Sequence, residues 1–179
     1  MPRVFIGVYP PLDWAHRARS LAEACPASRA GRLPDAPAIH LTVLFVGEVA
    51  DRRVAEMLES VDRAAAGIGA FVMHPARLIA LPDRGAPRVL AVECDLPGPL
   101  REAHRRLVSR LAARPRDRDG LLPHLTVCRF GGGKAVDRPE VMGAEQLGAF
   151  EVREIRVMRS VLRPGGAVHA VMHRVSLGA

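Results

Sequence analysis

The sequence predicts an α+β chain of two lobes, with antiparallel sheets flanking a central cleft and helices outside. Three observations carry this expectation. The tetrapeptide His-Leu-Thr-Val occurs twice, as His40-Leu41-Thr42-Val43 and His124-Leu125-Thr126-Val127, each time in a β-prone stretch that follows a loop and ends in an aromatic residue and a glycine. Alternating apolar positions mark roughly seven strands, and helical spacing marks roughly three helices. Each half of the chain supplies a strand, a helix and one copy of the tetrapeptide, with no linker between them, so residues 1–179 read as one domain of two pseudo-symmetric lobes.

In chain order, Val4 to Tyr9 is a first strand. Leu12, Ala15, Ala18, Leu21 and Ala22 then recur at helical spacing up to Cys25. Prolines, glycines and small residues make 25–38 a loop leading to the first motif strand. Asp51 is a candidate N-cap for a helix through Ala66, with Val54, Leu58, Val61 and Ala65 inward and Gly67 as its stop. Ala70 to Leu81 and Arg88 to Cys94 read as a hairpin about the turn Pro82-Asp83-Arg84-Gly85. Leu100 to Ala113 is the third helix, Arg114 to Gly120 a charged loop, and the second motif strand follows Pro123. Proline biases its predecessor Leu122 toward extended backbone, which suits a strand entry. Gly131 through Gly143, with Lys134, reads as a flexible loop; Glu151 to Leu162 and Ala167 to Val175 are the last strands, joined at Pro164-Gly165-Gly166.

At 179 residues and 49% hydrophobic, the chain can bury a proper core, which excludes a disordered polypeptide. No apolar run approaches the roughly 20 residues of a membrane span, and the N-terminal run stops at Pro10-Pro11 without a small-residue cleavage site, so the expectation is a cytoplasmic protein with no membrane partner. Cys25, Cys94 and Cys128 are odd in number and share no CxxC spacing, which argues against a disulfide framework or a zinc site. The net charge of +7 comes almost entirely from arginine, Lys134 being the single lysine. Such a surface attracts phosphate-bearing partners, although a biased composition produces the same charge, so charge supports a nucleic-acid substrate without establishing one.

On a strand, His and Thr two positions apart share one face while Leu and Val share the other. If the two motif strands are neighbours, two imidazoles and two hydroxyls face one point. That set suits acid–base chemistry on a phosphate and contains no carboxylate or thiolate at metal-ligand spacing, so no metal or other cofactor is expected. A lone strand histidine is usually structural; it is the pair that points to function. His16, His74, His104, His169 and His173 show no ligand or triad spacing and read as surface or core residues. Arg101, Arg105 and Arg106 read as a solvated helix face. Tyr9, Trp14, Phe45 and Phe130 could stack on a base, but with 4% aromatic residues most of them belong in the core.

His40-Leu41-Thr42-Val43-Leu44-Phe45-Val46-Gly47 and Pro123-His124-Leu125-Thr126-Val127-Cys128-Arg129 together resemble the paired motifs of the 2H phosphoesterase superfamily, in particular the RNA 2′,3′-cyclic phosphodiesterases also called 2′-5′ RNA ligases. The likeness extends to Arg3–Val8, Pro87–Leu90 and 160–166. It departs at Pro37-Ala38-Ile39, where the family has a polar residue and Asn-Leu, and at His169, where it has tyrosine. The resemblance implies the bilobal 2H fold and metal-independent hydrolysis of RNA 2′,3′-cyclic phosphate ends to 2′-phosphate ends, with reverse 2′-5′ ligation by the same groups. It further implies His40 and His124 as catalytic residues, with His40 favoured as acid and His124 as base. Thr42, Thr126 and Arg129 are then the substrate-binding residues, RNA ends (tRNA fragments or cyclic nucleotides among them) the partner, and a monomer the working form. Two alternatives stay open: a basic RNA-binding module with idle catalytic groups, and a 2H enzyme acting on a non-RNA cyclic phosphate or a 2′-5′ oligonucleotide.

Overall fold

Apolar alternation and helical spacing become strands and helices, and the two motif strands meet at the middle of the sheet. The computed structural model describes residues 3–111, 120–131, 138–163 and 166–178. In chain order the elements are β1 (Arg3–Val8), α1 (Leu12–Ala24), β2 (Gly31–Arg32), β3 (Leu41–Glu48), α2 (Val54–Ala65), β4 (Phe71–Met73), β5 (Pro75–Leu81) and β6 (Val89–Cys94). They continue with α3 (Gly98–Leu111), β7 (His124–Phe130), β8 (Met142–Gly143), β9 (Phe150–Val152), β10 (Glu154–Arg163) and β11 (Gly166–Ser176). The main sheet runs β11-β10-β1-β3-β7-β6-β5-β8, with β2 also on β7, and β4 pairs β9 apart from it. All these strand pairs are antiparallel. A single residue pair, Leu41 with Leu125, joins β3 to β7. The α+β architecture is therefore two antiparallel halves hinged at the motifs.

The helices cover one face and cross between the halves. Leaving β1, α1 packs on β7; leaving β6, α3 packs on β3; and α2 lies against α3 and β11. Trp14, Ala15, Ala18 and Ala22 form the inward stripe of α1, and Leu100, Ala103 and Leu107 that of α3. They meet Leu41, Val43, Leu125 and Val127, each at most 2% exposed. Burying one such side chain contributes roughly 1.5–3 kcal/mol, so this core fixes which face of the motif strands stays open. On the outer side of α3, Arg105 closes on Glu102 as a solvated face would, whereas Arg106 is half-buried and, besides Glu102, donates to the Ala66 carbonyl at the end of α2 at 2.7 Å. Cys25, Cys94 and Cys128 are free and buried. Among the described residues no helix is long and apolar enough to cross a membrane.

Four expectations change. The segment 70–81 breaks at His74, whose N–H bonds Asp95 Oδ1 at 2.7 Å, so β4 turns to β9 while β5 pairs β6. The segment 151–162 likewise splits at Arg153, whose carbonyl accepts from Leu177 N–H at 2.8 Å. Asp51 does not cap α2: it sits in a 3-10 turn, Asp51–Arg53, and the helix starts after Arg53 with no side-chain cap bond, although Gly67 (φ 71°) stops it. The loop 25–38 contains two 3-10 turns and β2. Most of the charged loop 114–120, Lys134 and the turn at Pro164-Gly165 lie outside the described residues.

Candidate active site

The antiparallel pair Leu41–Leu125 sets the register of the site. Its neighbours are Thr42 with His124 and His40 with Thr126, all four on the face opposite the leucines. The structure thus brings together the residues that the repeated tetrapeptide singled out. Each of the four is partly exposed, while Leu41, Val43, Leu125 and Val127 are buried.

Simple alternation would place Arg129 on the buried side with Val127. A β-bulge changes this. Ala91 pairs Thr126 but Leu90 pairs Cys128, so Val127 is the extra residue, and Arg129, opposite Val89, turns to the face of His124 and Thr126. The same bulge occurs in β3, where Gly7 pairs Thr42, Ile6 pairs Leu44 and Phe5 pairs Phe45, leaving Val43 extra. Phe45, 64% exposed, therefore occupies in one half the place that Arg129 holds in the other. His104 of α3 donates from Nδ1 to the Val43 carbonyl at 2.9 Å, satisfying a group that the bulge takes out of the ladder.

Both motif histidines are oriented alike. His40 Nδ1 lies 2.7 Å from the Ala38 carbonyl and His124 Nδ1 lies 2.9 Å from the Leu122 carbonyl. A carbonyl only accepts, so Nδ1 carries the proton in each ring and Nε2 is left with its lone pair. The residue two places upstream thus fixes the tautomer, and in the second motif it is the residue before Pro123.

Their surroundings differ. His40 lies near-parallel to the rings of Phe5 and Tyr9, with centroids at 4.8 and 5.2 Å, and meets His169 edge-on at 5.5 Å. Burial is the main cause that pushes its pKa down to about 4; the bond to Ala38 works against this, while His169, Arg129 and His124 add to the cost of charging the ring. Among the described residues no aromatic ring packs on His124. Burial also raises the Tyr9 hydroxyl to about 12 despite the Arg156 guanidinium 4.6 Å from its ring centroid. Arg129 is exposed and has no carboxylate partner among the described residues. Among those residues no cluster of three or more His, Cys, Asp or Glu is placed to hold a metal ion.

Sequence reasoning missed Gly7, which leaves room for the Leu41 carbonyl beside the His40 ring, and His104, which braces the bulge. Phe5-x-Gly7-x-Tyr9 alternates along β1 and was the available signal for a shared face. Of the other aromatics, Trp14 is 1% exposed and in the core, donating from Nε1 to the Gly148 carbonyl at 2.8 Å, and Phe130 packs partly buried against the core.

Known proteins resemble this chain in sequence and in fold. An RNA 2′,3′-cyclic phosphodiesterase of Archaeoglobus fulgidus is 28% identical over 143 residues, covering 73% of this chain and 75% of that one. Another of the same name from Aquifex aeolicus is 22% identical over 98% of this chain and 97% of its own length. A crystal structure from Thermus thermophilus superposes with a TM-score of 0.80 at 24% identity, covering 98% of this chain and 97% of that one. That of E. coli LigT complexed with phosphate gives 0.77 at 20% identity, over 99% and 98%. A sequence profile of the 2′-5′ RNA ligase superfamily matches residues 8–162, which span both motifs and the seam between them, and the chain belongs to that superfamily.

Proposed function

We propose that this chain is a 2H phosphodiesterase that hydrolyses RNA 2′,3′-cyclic phosphate ends to 2′-phosphate ends without a metal, working as one two-lobed, pseudo-symmetric domain and a cytoplasmic monomer. The observation that carries the reading is the pair of Nε2 atoms presented by His40 and His124 through matching Nδ1 bonds on either side of the Leu41–Leu125 pair. The names of the two RNA 2′,3′-cyclic phosphodiesterases similar to this chain support the substrate class. The metal-free reading is supported by a donor set of imidazoles, hydroxyls and a guanidinium.

In this reaction a base takes a proton from water, the water oxygen bonds phosphorus, the P–O3′ bond breaks and an acid protonates O3′. Thr42, Thr126 and Arg129 hold the non-bridging oxygens as their charge grows. The reverse sequence joins a 5′-hydroxyl to the cyclic phosphate as a 2′-5′ linkage. For the roles of the histidines, the electrostatics favour the opposite of the sequence expectation. Burial makes His40 hard to charge, which suits the base, neutral before the step, and leaves the acid's role to His124. The test is product analysis on RNA ending in a 2′,3′-cyclic phosphate, with EDTA present. A 2′-phosphate product formed at full rate is expected; no product, or a rate that needs zinc or manganese, contradicts the reading.

A further inference from the structure

His169 lies on β11 opposite Ser160 of β10, and its ring reaches past them to Phe5 and His40, edge-on to both at 4.9 and 5.5 Å between centroids. Its Nδ1 is closed off from solvent and has no hydrogen-bond partner among the described residues, although the residue as a whole is partly exposed. A neutral imidazole has one N–H, and the proton belongs on the nitrogen that can reach an acceptor. In His169 Nδ1 has no acceptor, which leaves Nε2 to carry the proton. The motif histidines are the reverse, since their Nδ1–H groups are spent on backbone carbonyls. Two imidazoles of the site therefore offer a lone pair at Nε2, and the third offers an N–H.

Charging His169 would put a second N–H at Nδ1, buried and without an acceptor. Burial, and then the Arg129 guanidinium, both hold its pKa below the ordinary imidazole value. It is thus built to stay neutral beside the two groups that titrate or carry charge around it, His40 and Arg129.

We propose that His169 is a substrate-binding residue, a neutral imidazole that donates its Nε2–H to a non-bridging oxygen of the bound phosphate while His40 and His124 move protons. The assignment rests on the phosphodiesterase reading for its substrate, but phosphate binding tests it without turnover. Three proteins are compared: wild type, His169→Phe, which keeps a ring against Phe5 and removes the donor, and His169→Gln, whose amide N–H restores it. Affinity for inorganic phosphate is measured by calorimetry, kcat and KM with a 2′,3′-cyclic nucleotide, and the tautomers of the wild-type histidines by 15N NMR.

Loss of a hydrogen bond to a charged ligand weakens binding on the order of 10- to 100-fold. That loss is expected for His169→Phe, with His169→Gln within a few-fold of wild type and an Nε2–H resonance of His169 that shifts when phosphate is added. Phosphate affinity unchanged in His169→Phe, an equal loss in a folded His169→Gln, or a proton found on Nδ1 overturns the assignment. A wild type that binds phosphate through His169 yet hydrolyses no cyclic phosphate overturns the activity reading alone and leaves this one standing. Should the Phe variant fail to fold, the wild-type NMR result and the Gln variant still decide it.

Discussion

Gly7 lies beneath the ring of His40: a methyl group added there would stand 2.9 Å from the Leu41 carbonyl oxygen and 3.6 Å from His40 Cδ2. Leu41 is the residue that joins the two halves, so relieving the clash moves backbone at the seam. Overpacking of this kind costs about 1–3 kcal/mol, and misplacing a reacting group by about 1 Å costs on the order of 100-fold in rate. Gly7→Ala is predicted to melt several degrees lower and to turn over at least about ten-fold more slowly. Thermal melting and steady-state turnover check this, and a variant that matches wild type in both would show that the seam has slack.

His104 should act on the site through the bulge. His104→Leu leaves the Val43 carbonyl unsatisfied, at a cost of about 1–3 kcal/mol, and frees the bulge that turns Phe45 toward the cleft. His104→Asn can replace the donor at Nδ1 and should recover both stability and kcat. If Leu and Asn variants are equal in kcat once both are folded, His104 serves the core alone.

The site's polar set was legible because a repeated motif of period-two side chains leaves little freedom: once two such strands are neighbours, Leu and Val must go inward and His and Thr outward. The doubled inward pair was not. Val43-Leu44 and Val127-Cys128 read as ordinary apolar runs, and only the ladder shows that each bulge swings the residue after it, Phe45 or Arg129, to the open face. Arg129 entered the site set by resemblance, whereas alternation alone would have buried it and the bulge turns it to the open face. The broken strands at His74 and Arg153 were hidden for a similar reason, since their partners Asp95 and Leu177 are remote in sequence.

The depressed pKa of His40 gives stability a pH dependence. Between an unfolded value near 6.5 and a folded value of about 4, the unfolded chain binds a proton that the native ring does not. Stability is therefore full above pH about 6.5 and falls as pH drops toward about 4, by at most roughly 3 kcal/mol from this group. Urea midpoints measured from pH 7 to 4 should show that slope in wild type and a shallower one in His40→Gln. Equal slopes would place the cause elsewhere.

The division of labour between the histidines can be read with an aryl phosphodiester, whose leaving group needs no protonation. With His124 as acid, His124→Ala should be largely rescued on that substrate and His40→Ala should not. The kcat/KM of wild type should hold as pH falls below 6 and be lost only toward about 4, the value that burial gives the free His40. Rescue of His40→Ala instead would restore the order in which His40 is the acid.

The central claim is that His40 and His124 act together in one chemical step, and a double-mutant cycle on a 2′,3′-cyclic nucleotide, with EDTA present, tests it most directly. Each single alanine variant should lower turnover by roughly 10²–10⁴-fold, and the double variant should lose far less than the product of the two, as groups acting as a unit do. Near-normal turnover in either single variant, or losses that simply multiply, would contradict it.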